Sequence, residues 1–505
     1  MSSTPPVHRW RWLAILLLVC TLLRLGLVMG GGQNFFWDEW RYNRGLNLYL
    51  ALRAGDFPAA RTVLADPAHF AFTPVSAGLV ALQHLGVQVT GWADWRRTEN
   101  ILASRPLATG LLGLASVLNI ALAYCIARRT TGDITTARWV AWLMAGSNTG
   151  FYYARHFLPY DLALSCALAS ILVGLGGRRS LRAGLMAGAS FHLYNGYWYL
   201  LPVLFLLHGW DVTAAPVGRL RRLARFGVGS GLALVIPVLI GVAINGEAFW
   251  RSMVSFSQTV SQGDFSEGWS LPWAYFWHSE TAFGVVVIIA IIIGLGVARQ
   301  QPDSADRAAY LWLGALALSY SLLVLFSVGL EKFVVCARIV KPFVPLVCLV
   351  GGWAATRLFQ GRPRAATLAK ITVGVLAVCN FAPHFSRIFP GEVETQLVRE
   401  LGNPKRALSV KGSIYLRMSI PVTRPELVLV NMQTLYPVRA EADLPTGRTL
   451  LRIEHPLTYL PYQYEGNTPL EREFLRKHDI SMRLIRCDNP SAVPDEPGLS
   501  AASGQ

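Results

Sequence analysis

Apolar stretches near 20 residues long recur along this chain, and a water-soluble fold cannot bury so many of them. They fall at roughly 12–30, 107–127, 137–154, 162–177, 183–195, 197–210, 227–245, 281–298, 310–329, 342–358 and 371–386. Inside a bilayer core each segment must satisfy its own amides, so these runs dictate helices. The predicted fold class is mainly α: a polytopic transmembrane helical bundle of about 11 spans. The short segments 183–195 and 197–210 leave one bent helix open as the alternative to two spans.

Composition agrees with this reading. The 505 residues are 53% hydrophobic and only 15% charged, against about 25% charged in soluble domains. A formal net charge of +16 would suit nucleic acid if it formed one dense patch. Here the arginines sit in short links between apolar runs, which points to membrane topology and predicts no nucleic-acid partner. Of the seven cysteines, Cys20, Cys125, Cys166, Cys348 and Cys379 lie in apolar runs, where thiols act as small hydrophobes. No disulfide framework or zinc spacing is visible, although Cys336 and Cys487 would both face outward and leave one bridge open. The basic start (His8, Arg9, Arg11) and the run Trp12 to Met29 read as an uncleaved first span rather than a signal peptide.

Arginines fix the orientation. The links holding Arg128-Arg129, Arg178-Arg179-Arg182, Arg219-Arg221-Arg222-Arg225, Arg299-Arg307 and Arg357-Arg362-Arg364 lie within a few residues of span ends, where the positive-inside bias acts. The apolar segment Phe72 to Val87 is short and contains Pro74, Gln83 and His84. Counting it as a span would put Arg128-Arg129 outside, so it is predicted to be an interfacial or re-entrant helix within an outer loop over about 31–106. The expected location is the cytoplasmic (inner) membrane, multi-pass, with a cytoplasmic N-terminus. The membrane domain covers 1–386. Beyond it, alternating apolar runs such as Glu426-Leu-Val-Leu-Val-Asn431 predict a small C-terminal α/β soluble domain, 387–505, on the outer face. No internal repeat is visible, so an inverted-repeat transporter gains no support.

Chemistry-bearing residues gather at the outer ends. The first outer loop opens Asn34-Phe-Phe-Trp-Asp-Glu-Trp-Arg-Tyr42, with the acids Asp38 and Glu39 among aromatics. A partly desolvated acid there has a raised pKa and can take a proton; the alternative is a solvated acid paired with Arg41 or Arg44. In the second outer turn, Tyr153 to Asp161, Arg155 and Asp161 sit at membrane depth, where ionisable groups are costly. Either Arg155 grips a phosphate with Asp161 orienting it, or the two form a simple ion pair. Phe191-His-Leu-Tyr-Asn-Gly-Tyr-Trp-Tyr199 is a polar break in which His192 contacts a substrate or serves as a structural donor. Glu331, Lys332, Arg338 and Lys341 cluster in a later outer loop, as an anion grip or as snorkelling side chains. Trp250, Trp269, Trp273, Trp277 and His278 suit sugar stacking or lipid head groups. Arg24 inside the first span requires an internal partner.

These features together, a first span, an outer loop opening with Asp38-Glu39 and a second outer loop bearing Arg155 and Asp161, resemble the GT-C superfamily of membrane glycosyltransferases. Within it the likeness is to the protein O-mannosyltransferases and lipid A aminoarabinose transferases (the glycosyltransferase family 39-like group). His69-Phe-Ala-Phe-Thr-Pro74 and Ser104-Arg-Pro-Leu107 stand loosely where that group carries His-Pro-Pro and Arg-Leu-Pro. The spacing of Arg155 and Asp161 is one residue longer than in the mannosyltransferases, and His192 lies where relatives often carry Lys-Gly.

The resemblance implies transfer of one sugar from a polyprenyl-phosphate donor to a hydroxyl acceptor, a glycan, lipid or protein, on the outer face, with inversion. It implies Asp38 as the catalytic acidic residue, acting as general base, and Arg155, Asp161 and His192 as substrate and phosphate contacts; the residues themselves add Glu39 as support for the base and Lys332 and Arg338 as a second grip on the phosphate. No metal-ligand set is predicted; a divalent cation between Asp38 and Asp161 is left open, and no cofactor is required. The competing class is a multi-span transporter or a flippase for lipid-linked sugars, whose charges would spread through mid-membrane rather than gather at outer ends.

Overall fold

The computed structural model describes residues 7–29, 40–65, 72–90, 106–214, 218–260, 268–300, 305–333, 335 and 337–383, together with four strand segments between 411 and 487. Apolar sequence with no external hydrogen-bond partner closes its amides on itself, and nearly every described residue before 384 lies in a helix or the turn joining two. The first candidate span is α1 (Val7–Met29), and the segment after it holds α2 (Trp40–Ala54), α3 (Phe57–Val63) and α4 (Phe72–Thr90). Next come α5 (Pro106–Thr131), α6 (Ile134–Gly146), the short α7 (Asn148–Tyr152) with a 3-10 turn at Tyr153–Arg155, and α8 (Tyr160–Gly174). The central part is α9 (Ser180–Leu193), a 3-10 turn at Asn195–Tyr197, α10 (Leu200–Gly209), α11 (Arg219–Asn245) and α12 (Glu247–Val260). The membrane part ends with α13 (Leu271–Gln300), α14 (Asp306–Val324) running into a π turn at Leu325–Gly329, the one-turn α15 (Ala337–Val340), α16 (Phe343–Leu358) and α17 (Pro363–Pro383).

The apolar runs lie mostly on helices, and the stretch 137–154 is divided among α6, α7 and the 3-10 turn. Six described helices are long and apolar enough to cross a membrane: α1, α5, α11, α13 from Ser279 onward, α14 with its π turn, and α17. Three more, α8, α10 and α16, are apolar but shorter. The sequence leaves two spans or one bent helix open for 183–210; the structure has two helices, parted by the Tyr194 break. The segment α4 is not among the six. It packs beside α2 and α5 through Leu46, Phe72, Val80, Ala108 and Leu112. Outward faces stay apolar: Ile15, Leu22, Leu239, Ile292, Leu368 and Val378 are all at least 60% exposed. Water would not tolerate such a belt, whereas lipid does.

Two local devices shape the end where the candidate site sits. Gly113 of α5 lies so close to the 3-10 turn that a Cβ there would stand 2.7 Å from the Ala154 carbonyl oxygen. Thr281 interrupts α13 with φ 44 and ψ −132, a region costly for a β-branched residue. Its hydroxyl bonds Asn380 Oδ1 of α17 at 2.6 Å, which ties the break to a neighbouring helix.

The described strands form one sheet in the order β1-β2-β4-β3, where β1 is Lys411–Gly412, β2 Leu427–Asn431, β3 Gly447–Ile453 and β4 Met482–Cys487. β1 runs parallel to β2, and β4 pairs antiparallel with both β2 and β3, with an irregularity between Thr449 and Leu451. The alternating run after Glu426 is thus strand; the helical half of the expected α/β tail falls outside the described residues, as does Cys336.

Candidate active site

The site is built on the α7 to α8 turn. Ser147 caps α7, its hydroxyl accepting from Gly150 N, and the Glu280 carboxylate covers the same helix start. Glu280 is buried and accepts from Ser147 Oγ at 2.7 Å, Asn148 N at 2.9 Å and Thr149 N at 3.0 Å. A helix start leaves amides unsatisfied and carries partial positive charge, so a carboxylate there meets both needs. Asn148 Nδ2 donates to Ser279 O and Asn380 O, which fixes α13 and α17 to the turn. On the other side Arg24 of α1 donates to Ser116 Oγ, Cys20 O and Gly150 O and lies over the Phe151 ring. The internal partner that Arg24 requires is therefore α5 and this turn.

Asp161, in the first turn of α8, is held at the centre. Lys341 Nζ lies 2.8 Å from each of its carboxylate oxygens, with side-chain exposures of 2% for Lys341 and 5% for Asp161. Asn119 Nδ2 donates to Asp161 Oδ1 and to its backbone oxygen, both at 3.2 Å, and Ser165 Oγ donates to the same backbone oxygen at 2.9 Å. Lys341 also reaches Thr149 O at 3.4 Å and stands 4.7 Å over the Tyr153 ring. Burying two charges is tolerated when the pair is close and its remaining valences are used, and here they are. Around the pair the rings of Tyr153, Tyr160, Tyr194 and Tyr197 follow one another with centroids 5.3, 4.6 and 4.9 Å apart.

Asp38 and Glu39 lie outside the described residues. What is described are their flanks. Two residues after Asp38, α2 begins, and its Leu46 shares a buried cluster with Phe72, Ala108, Leu112 and Phe157. Phe157 belongs to the turn between Arg155 and Asp161 and its ring centroid lies 5.9 Å from that of Phe72, so α4 connects the cluster that holds α2 to this turn.

Arg155 is placed on the 3-10 turn by its backbone; its side chain is outside the described set. Among the described residues the ion-pair partner of Asp161 is Lys341. His192 reaches α11, its Nε2 3.1 Å from Leu234 O. Lys332 is exposed. Arg338 donates from Nε to Tyr194 Oη at 3.1 Å and so borders the tyrosine row.

Asp161 does not suit a divalent cation, because an ammonium already holds both of its oxygens. Among the described residues no three His, Cys, Asp or Glu gather as a metal site. Trp250, Trp269, Trp273 and Trp277 are more than half exposed. Trp273 and Trp277 line, with Phe276, Thr281 and Val285, an apolar groove of about 340 Å³ on the outside of α13. A second apolar cleft of about 360 Å³, between Trp139, Val287, Phe359 and Leu368, lies toward the arginine-rich end and away from Asp161.

Sequence reading underrated two residues. Glu280 stands beside a tryptophan-rich stretch that drew attention to rings, although a lone acid at the head of an apolar run is itself a signal. Lys341 was one of four charges in one loop, and nothing in the spacing separated it from Lys332.

No family model and no curated protein matches the chain. Solved structures that align with it include ArnT from Cupriavidus metallidurans bound to undecaprenyl phosphate, at 16% identity and a TM-score of 0.44 over 73% of this chain and 64% of that one. The apo state of the same protein aligns at 14% identity and a TM-score of 0.42. The archaeal oligosaccharyltransferase AglB from Archaeoglobus fulgidus, in complex with an inhibitory peptide and a dolichol-phosphate, aligns at 12% identity and a TM-score of 0.44 over 73% of this chain and 55% of that one. This chain spans less than two thirds of the length of each.

Proposed function

We propose that this chain is an inverting membrane glycosyltransferase that moves one sugar from a polyprenyl-phosphate donor to a hydroxyl acceptor at the bundle end opposite the arginine-rich links. The observation that carries the reading is convergence: Arg24, Glu280 and Lys341, far apart in sequence, all reach Thr149 or Gly150 of α7, and Lys341 joins them to Asp161 at the start of α8. Four buried charges held on one short stretch of chain suit a fixed, preorganised centre.

Asp38 takes the proton of the acceptor hydroxyl, the acceptor oxygen attacks the anomeric carbon, and the bond from that carbon to the phosphate oxygen breaks. The lipid phosphate leaves with the bonding electron pair, and Glu39 supports the base. A phosphate monoester is already a good leaving group, so the larger demand is charge stabilisation, assigned to Arg155 with Arg338 and Lys332. The Lys341–Asp161 pair holds the turn that presents Arg155, and the groove beside Trp273 and Trp277 suits the lipid tail. The acceptor class stays open among glycan, lipid and protein hydroxyls.

The test is Asp38→Asn in the full-length protein reconstituted with a polyprenyl-phosphate sugar pool. The expected result is a chain that inserts and folds as the parent does but releases no sugar to any acceptor. Sugar transfer at the parent rate by this variant would overturn the assignment of the base. Donor flipped across the membrane with none consumed would favour the transporter reading.

A further inference from the structure

At the opposite end of the bundle, and independent of the reading above, α9 and α11 cross backbone to backbone. A Cβ on Gly184 would collide with Phe226 O, and one on Gly229 with Leu181 O. Gly188 meets Ser230 and Ala233 further along, and His192 meets Leu234, so residue numbers rise together and the two helices run parallel. Their N-termini therefore open on the same side. Between them lies a cleft of about 710 Å³ lined by Arg178, Arg179, Arg182, Arg221 and Arg225, with Leu181 and Val228.

The arginine run of α11 is sorted by its contacts. Arg219 lies 3.7 Å over the Trp210 ring, and Arg222 packs against Gly177. Arg221 and Arg225, four residues apart and in line with Val228, share the helix face that lines the cleft. Among the described residues no carboxylate pairs with any of the five lining guanidiniums. Asp211, in the neighbouring loop, is occupied by Gly176 N at 2.7 Å and by Thr213. Like charges crowded into one cleft repel, and two parallel helix starts add positive ends to the same space. An anion with several oxygens relieves both, because guanidinium forks match phosphate. Leu181 and Val228 are 41% and 56% exposed, which provides an apolar rim next to the charge and favours a lipid over free phosphate.

We infer that this cleft binds the phosphate head group of an anionic lipid in the leaflet at the arginine-rich end, with an acyl chain along Leu181 and Val228. A topological bias alone would need arginines near span ends but no shared cleft, and Arg362 and Arg364, at the same end of the bundle, provide that comparison.

The test uses full-length protein in nanodiscs of phosphatidylcholine doped with phosphatidylglycerol, with retained lipid read by native mass spectrometry. Arg182→Gln with Arg225→Gln is expected to weaken phosphatidylglycerol retention roughly 30-fold, about fivefold for each charge, while Arg362→Gln with Arg364→Gln leaves it unchanged. Equal loss in both variants would overturn the proposal in favour of general surface charge. Because the Gln variant could insert poorly, Arg182→Lys with Arg225→Lys keeps the net charge; it is expected to lose part of the retention, and full retention would overturn the built site. Inorganic phosphate that displaces the lipid at millimolar concentration would overturn the choice of a lipid occupant.

Discussion

Lys341 donates to Asp161 across 2.8 Å from a position 180 residues further along the chain, and the pair is nearly closed to solvent. Removing one partner leaves a buried charge without compensation. Lys341→Met or Asp161→Leu alone is expected to cost about 3–5 kcal/mol, read as a lower thermal midpoint in detergent. The double variant should be more stable than either single one. Additive losses in the double variant would show that the two charges do not compensate each other.

Glu280 holds three donors of the α7 start. Glu280→Ala leaves them buried and unpaired, at a cost of about 1–3 kcal/mol, and Glu280→Gln, which keeps one accepting oxygen, should lose less. Hydrogen exchange at Asn148 to Tyr152 is the measurement. Unchanged protection there in the Ala variant would remove Glu280 from the role of cap.

Gly113 and Gly26 make a contrast within helices. A Cβ on Gly113 meets the Ala154 carbonyl at 2.7 Å, whereas one on Gly26 meets nothing within 4 Å. Gly113→Val should displace the turn bearing Arg155 and lower both stability and transfer activity. Gly26→Ala should be neutral or stabilise by about 0.5–1 kcal/mol. Thermal midpoints of the two variants decide the point, and equal midpoints would refute the close approach.

His192 stands on Leu234 O rather than in the tyrosine row. His192→Ala is therefore expected to leave KM for the donor unchanged and to cost stability by about 0.5–1.5 kcal/mol. A raised KM at unchanged stability would return His192 to the substrate.

Much of the frame was legible because the cues were chemical and local. Arginines marked the ends of helices, Arg24 announced a buried partner, and Asp161 stood out as an acid where a span begins. The break at Tyr194 was visible as polar residues between two half-length apolar runs. What the sequence hid depends on three-dimensional selection among equals. Lys332, Arg338 and Lys341 share one loop, and only the π turn and the one-turn α15 decide that Lys341 enters the centre while Lys332 stays exposed. The α13 break at Thr281 had no local signal, since a β-branched residue is an unexpected one for positive φ; Asn380, a hundred residues away, holds it. The acceptor of His192, on Leu234, is a backbone oxygen that no motif records.

The separation of Asp161 from its partners also sets an order of events during synthesis. Asn119 is made before Asp161 and contributes a neutral amide to the carboxylate as soon as α5 and α8 pair. Lys341 emerges only after α9 to α14 have been made. A nascent chain that ends before α15 therefore holds an acid at membrane depth without the ammonium that reaches both of its oxygens, and arrival of α15 and the residue after it is the step that supplies it.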